Sequence, residues 1–216
     1  MKRYIYIFVT LALGLAAAGV LAQLGGGGFR GPGAVIKGPT SSTDNAIVRF
    51  DGTSGKRVQN SGITIDDSDR LTNSSQPCFL AFNSANDLDV TGAGAIPQID
   101  FDTEVFDQGA DFAADTFTAP ITGRYLFAAT VRFTGITAAA DSVFLILTTS
   151  NRTYEVSWSD TDNIPLGMNF IITAITDMDF NDTATVSVQV NGEVSNVVDI
   201  TGSSVLVTYF SGCLIS

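Results

Sequence analysis

Oxygen ligands are the most plentiful chemical groups in this chain, with 22 Asp and Glu against 11 Lys and Arg and no histidine. Several acids crowd into short runs. Asp160, Asp162 and Asn163 in WSDTDN, the acids from Asp100 to Asp115, and Asp177, Asp179 and Asp182 offer the hard oxygens that calcium takes. None of these runs follows the EF-hand order, and acidic loops without metal are the ordinary alternative. Asp160 and Asp162 are the candidate calcium pair; no other cofactor is expected. A carboxylate pair could also hydrolyse a glycoside, which needs only an acid and a base or nucleophile flanking the bond, but nothing in the sequence selects one pair. The missing histidine removes the commonest general base and the commonest zinc ligand, and with it any Ser-His-Asp or Cys-His arrangement. Catalysis is not expected.

The charge is uneven. Residues 1–70 carry eight basic and five acidic side chains, whereas residues 71–216 carry seventeen acids and only Arg124, Arg132 and Arg152. Nucleic-acid backbones require clustered Lys and Arg, so they are excluded as partners. Anionic membrane surfaces are disfavoured for the same reason. The excess of acid also serves solubility.

What would position such groups is a set of short β-strands. In FTAPITGRYLFAATVRF, Phe117 to Phe133, a turn punctuated by Pro120 and Gly123 leads into strict alternation. Tyr125, Phe127, Ala129, Val131 and Phe133 share one face, and Arg132 and Thr134 lie on the other. Cys78 to Phe82, Val143 to Thr149, Thr153 to Trp158, Met168 to Ile175, Ala184 to Val190 and the closing SSVLVTYFSGCLIS, Ser203 to Ser216, read as further strands. They are separated by Gly, Asn, Asp and Ser, and no stretch after residue 25 holds a helical period. Trp158 follows Val156 on one strand face, which favours core packing over a sugar platform. An all-β, antiparallel jelly-roll β-sandwich is expected.

The F-T-A-P-x-x-G-x-Y-x-F element and the terminal S-x-F-S-G-x-L strand resemble the C1q-like domains of the C1q and tumour necrosis factor superfamily. The resemblance runs from Gln76 to the end, with Phe101, Asp107 and Phe112 at family-like spacing and a shortened interval from Phe112 to Phe117. It implies a homotrimer, and in some such heads calcium near the trimer top. It also implies that the first and last strands are neighbours, which would bring Cys78 and Cys213 together. An exported chain with two cysteines is the setting for a disulfide; two buried thiols behaving as small apolar residues are the alternative. Val205 to Phe210 and Val143 to Leu147 read as apolar on both faces, and a sandwich strand needs only one.

Ahead of that head, residues 1–22 read as a signal peptide, with Lys2 and Arg3, an apolar run and Val20-Leu21-Ala22 before Gln23. The rival is an uncleaved anchor. Residues 23–42 form a Gly-rich linker without the period of collagen. Residues 43–75, with short strands at Ala46 to Phe50, Val58 to Asn60 and Gly62 to Ile65, resemble a module of bacteriophage tail fibres and bacterial surface proteins. It holds too few apolar residues for a core in one chain, so three copies wrapped as a short shaft, or a partly ordered tether, are the two readings. Asn73, Asn151 and Asn181 begin N-x-Ser/Thr patterns and are read as polar loop residues. The whole implies a secreted, extracellular or cell-surface trimeric head of adhesin type, not membrane-inserted after signal cleavage, that binds a receptor, glycan or matrix partner. The alternative is a structural cap or subunit of an extracellular filament or phage tail fibre.

Overall fold

The computed structural model describes residues 36–159 and 167–216; the expected signal, most of the linker, and Asp160, Asp162 and Asn163 lie outside them. All regular structure among the described residues is β. The chain divides into two units, Met1–Thr72 and Asn73–Ser216.

In the first unit β1 (Ala46–Phe50), β2 (Val58–Ile65) and β3 (Leu71–Asn73) form one sheet in that order. Residues expected as two short strands are thus one. Ser61 spans the join by accepting from the Ile63 N–H and donating to the Ile63 carbonyl, beside a register shift in β1. Asp66 builds the turn into β3: its carboxylate accepts from the backbone N–H groups of Arg70 and Ser68, which hold its pKa low. Val48, Phe50, Ile65 and Leu71 are left exposed on this sheet.

The second unit is an antiparallel jelly-roll sandwich. Its strands are β4 (Cys78–Phe82), β5 (Asp87–Thr91), β6 (Thr103–Asp107), β7 (Phe112–Ala113), β8 (Thr116–Thr118), β9 (Gly123–Thr134), β10 (Ser142–Thr149), β11 (Thr153–Trp158), β12 (Gly167–Met178), β13 (Thr183–Asn191), β14 (Val198–Ile200) and β15 (Tyr209–Leu214). One sheet runs β11-β10-β13-β8-β7 and the other β5-β14-β9-β15-β4-β6, with β12 on the free edge of β9. β9 and β12 pair along twelve residues, and β12 has no other strand partner among the described residues. β14 and β15 share the opposite edge of β9, at Phe133–Thr134 and at Tyr125–Thr130.

The core lies between the sheets. Tyr125, Phe127, Ala129, Val131 and Phe133 of β9 are fully buried against Val143, Leu145 and Leu147 of β10 and Val186, Val188 and Val190 of β13. Period-two alternation on facing strands places these side chains inward. Phe79 stacks on Phe112 and Phe117 at 4.7 and 5.1 Å and meets Phe210 edge-on at 5.0 Å, so an aromatic cluster joins both sheets. Gly212 makes room for it, since a Cβ there would stand 2.8 Å from the Phe79 ring and closer still to Phe127. Trp158 and Val156 pack on the edge of this core. The Pro120 turn is fastened by the buried Tyr125 hydroxyl, which donates to the Ile121 carbonyl at 2.8 Å. The short Phe112-to-Phe117 interval is a two-residue hairpin with positive φ at both Ala114 and Asp115.

One two-faced strand reading is corrected and the other is kept. Val205 to Phe210 is not one strand: β15 begins at Tyr209, and Val205 is 71% exposed in a loop. The Asn83 carbonyl accepts from the Ser203 N–H, and the Thr208 hydroxyl takes the Arg132 N–H and the Thr201 carbonyl in place of a regular ladder partner. On β10 the second apolar face is only Phe144 and Ile146. It is half-buried among Ser157, Glu155, Gln189 and Ser187 of the flanking strands.

Candidate functional site

Three features of the second unit bear on function: the outer face of the larger sheet, and the two ends of the sandwich. The strand registers define the face. Ile171, Thr130, Tyr209 and Phe82 form one row across β12, β9, β15 and β4. Thr173, Ala128, Ser211, Leu80 and Phe106 form the next, reaching β6. Ile175, Leu126, Cys213 and Cys78 form the third. Ile171 is 63% exposed, Ile175 59% and Leu126 39%, and Phe106 is exposed at the far edge. Among the described residues no element of this unit covers the face, although the alternation that fills the core would ordinarily leave it polar.

Two arginines frame this apolar surface. Arg124 and Arg132 lie on its β9 strand, opposite Asp177 and Asn169 of β12. Neither forms an ion pair among the described residues, whereas the remaining arginine of this unit, Arg152, holds Asp177 with two nitrogens at 2.9 to 3.1 Å. The opposite edge strand, β6, carries Glu104. Glu104 is the register partner of the core-facing Ala81, so the charges of the outer face are Arg124 and Arg132 at the two ends of β9 and Asp177 on β12.

Cys78 and Cys213 are register partners on β4 and β15 and are joined as a disulfide, with Cα atoms 4.1 Å apart. The bridge lies on the outer face, because its neighbours Phe79 and Gly212 point into the core. Its sulfurs are half-buried beside Leu126.

At the Gly123 end an open hollow of about 420 Å³ is lined by Thr122, Arg124, Asn151, Asp177, Met178, Asp179 and Ser216. Its acids are committed to structure. Asp177 pairs with Arg152, which lowers its pKa through the hydrogen bond, and the neighbouring Asp182 accepts from the Asp179 N–H and from Asn151. Three of the acids between Asp100 and Asp115 behave alike. Asp107 accepts from the N–H groups of Asp111 and Phe112, Asp115 from Phe101, and Asp102 from Ser84. Among the described residues no three acids or cysteines converge as a metal site. Asn151 and Asn181 serve turns, Asn151 by its bonds to Asp177 and Asp182, and Asn181 by its positive φ.

The Thr134 end is built differently. Its loops are cross-laced by buried polar side chains that the sequence reading did not single out. Glu193, 8% exposed, receives the N–H and hydroxyl of Thr137 at 2.8 and 2.9 Å, tying the β13–β14 loop to the β9–β10 loop. Asn83 donates to Asp87 and accepts from Ala85, and Gly202 packs so closely on this loop that a Cβ would collide with the Ala85 carbonyl. Burial raises the pKa of Asp87 against the Asn83 bond, with Asp100, Asp102 and Asp115 adding to it. A signal for Asn83 and Thr208 was present: each continues the inward parity, after Phe79 and Ala81 or before Phe210 and Gly212, where an apolar residue belongs. Val194, 96% exposed, and Val205 project from the laced loops. Gln76, near the start of the unit, donates to the Leu214 carbonyl at the Gly123 end, which leaves the Thr134 end distal to the chain entry.

No family model matches the chain, and no curated protein does. Solved structures similar to it include the globular domain of zebrafish complement 1qA protein, at 17% identity and a TM-score of 0.46 over 65% of this chain and 98% of that one. Murine APRIL is another, at 13% identity and a TM-score of 0.46 over 65% of this chain and 99% of that one. The jelly-roll assignment stands on the strand order and two-sheet core described above.

Proposed function

We propose that this chain is an exported binding protein whose heads assemble as homotrimers through the outer face of the larger sheet and present the loops of the Thr134 end to a receptor, glycan or matrix partner. The observation that carries this reading is the uncovered apolar face spanning β12, β9, β15, β4 and β6. Apolar surface of this continuity marks an interaction site. The resemblance to the C1q and tumour necrosis factor superfamily supports a copy of this chain as the partner and three as the number. The acid-rich head, the lack of histidine and the commitment of the described carboxylates to turns favour binding over catalysis. The disulfide suits an oxidising destination.

The laced loops suit capture because a binding surface held in its bound shape avoids the cost of ordering it. Light scattering on residues 76–216 tests assembly: a trimer is expected, and a clean monomer at micromolar concentration overturns it. Glycan arrays and cell-surface panels test capture, with Val194→Asp plus Val205→Asp expected to weaken adhesion and leave the oligomer intact.

A second reading draws on the first unit. The exposed Val48, Phe50, Ile65 and Leu71 of β1–β3 would be buried if three copies of residues 43–75 wrapped one another as a shaft, similar to a tail-fibre module. The head would then cap an extracellular filament without a ligand. A protein that enters fibres and binds no surface, glycan or matrix preparation supports that reading.

A further inference from the structure

We infer that Asn181 is the acceptor of an N-linked glycan, attached after export by an oligosaccharyltransferase of the class that also reads an acidic residue two positions ahead of the asparagine. This rests on the export reading above and concerns a residue that neither the assembly nor the capture reading uses. Asn73, Asn151 and Asn181 each begin an N-x-Ser/Thr pattern, but only Asn181 has an acid two positions ahead. Its run is Asp179-Phe180-Asn181-Asp182-Thr183, whereas Leu71 and Thr149 stand in that place for the other two. Neither flanking residue is proline. The Thr183 hydroxyl offers the enzyme a hydrogen-bonding group, and the Asp179 carboxylate offers a charge that a cation of the enzyme can pair.

The structure separates the three asparagines in the same way. Asn181 lies in the connection between β12 and β13, residues 179–182, and Asp179, Phe180, Asn181 and Thr183 are all exposed. Its carboxamide forms no hydrogen bond among the described residues. The turn is closed instead by Asp182, which accepts from the Asp179 N–H at 2.8 Å, and by Thr122, which accepts from the Phe180 N–H at 3.0 Å. The Asn151 amide, by contrast, donates to the Asp177 carbonyl at 3.0 Å and to Asp182 at 2.8 Å, and half-buried Asn73 accepts from the Ser75 N–H. In the transfer, the Asn181 amide nitrogen bonds to the anomeric carbon of a glycan carried on polyprenyl diphosphate. The bond from that carbon to the diphosphate oxygen breaks, polyprenyl diphosphate leaves with the electron pair, and the amide gives up one proton to a base on the enzyme. Met178 is the register partner of Gly123, so the glycan stands at the Gly123 end and leaves the Thr134-end loops free.

The test is the purified, folded full chain incubated with a purified oligosaccharyltransferase of this class and its polyprenyl-diphosphate-linked glycan. An acceptor peptide serves as the positive control, and peptide mass spectrometry is the readout. One glycan on Asn181 is expected, with Asn73 and Asn151 bare, and Asn181→Gln should abolish it. Asp179→Asn removes only the charge, since the carboxylate takes nothing closer than the Thr122 hydroxyl at 3.5 Å. That variant should slow transfer about tenfold or more, as the loss of one charge-assisted contact does. A bare chain beside a modified control peptide overturns the proposal, and so does a glycan on Asn73 or Asn151 with Asn181 bare. Transfer at an unchanged rate in Asp179→Asn overturns the enzyme class. Fractionation of cells making the chain reads export separately: retention in the cytoplasm overturns the export reading, while transfer in solution still decides the acceptor. The wild-type map needs no variant, so a misfolded mutant does not blur the outcome.

Discussion

Both faces of β9 carry apolar side chains toward the middle of the strand, although the outer one ends in Arg124 and Arg132, and the two meet opposite fates. On one, Tyr125, Phe127, Ala129, Val131 and Phe133 are sealed by the second sheet. On the other, Leu126, Ala128 and Thr130 continue a largely apolar surface across β12, β15 and β4 that no element of the same unit covers among the described residues. The contrast teaches that side-chain types that fill the core also stand on an uncovered sheet face, and topology alone decides which is which. An antiparallel sheet with one solvated face should alternate apolar and polar; where it does not, the exposed apolar half is the place to test for a contact.

The sharpest way to break the comparison is Phe127→Ala. Loss of a ring wedged among Phe79, Phe117 and Phe210 should cost about 3–5 kcal/mol in protomer stability, read by urea unfolding. A loss under about 1 kcal/mol would show that the inward face is not the core. Next comes the bridge. Cys78→Ala with Cys213→Ala opens a 135-residue loop and should cost on the order of 2–5 kcal/mol, although both residues sit on the outer face. Unchanged unfolding in the oxidised wild type and the double variant would mean that the bridge does not form in solution.

The outer face itself should behave in the opposite way to Phe127. Leu126→Asp with Ile175→Asp should leave protomer stability within about 1 kcal/mol, because exposed substitutions usually cost about 0.5 kcal/mol or less each, yet abolish the trimer in sedimentation. Unfolding of the protomer would collapse the distinction between the faces. The smallest effect lies at the sheet rim. Burial raises the folded pKa of Asp87 above the ordinary 3.8, so the folded state binds its proton more tightly than the unfolded state. Stability therefore falls as pH rises from 3.8 through the folded value. Asp87→Asn should thus gain stability at pH 7, with the gain vanishing below 3.8, where the aspartate is protonated in both states. A gain that persists in acid would assign it to something other than charge.

Much of this fold was legible because period-two alternation is written directly in the chain. FTAPITGRYLF announced β9 and its entering turn, and CFLAF and TYEVSW are β4 and β11 as read. β5 and β14 were missed because DLDVT and VDI carry Asp, which is depleted in strands yet suits the edge that β5 occupies. The continuous outer face was only partly legible. Its rows depend on which strand lies beside which, and no residue of β12 names β9 as its neighbour. Instead, the doubled apolar pattern was read on Val205 to Phe210, where hydrogen bonds from Asn83 and Thr208 pull the chain off the sheet. Of the candidate site, the lacing of the Thr134 end was hidden because Glu193 and Thr137 lie 56 residues apart. Nothing local marks a glutamate destined to be buried.

The twelve-residue edge of β12 carries a biological liability. From Gly167 to Met178 it has one charged residue, Asp177, and neither proline nor lysine to discourage docking. A newly made chain that reaches its fold alone displays a long row of open amide and carbonyl groups. Any extended segment can continue that row, including β12 of a misaligned sister. Production at low local concentration would then favour strays and aggregates over correct partners. Synthesis of several chains close together, with rapid association in the compartment where they fold, would protect the yield.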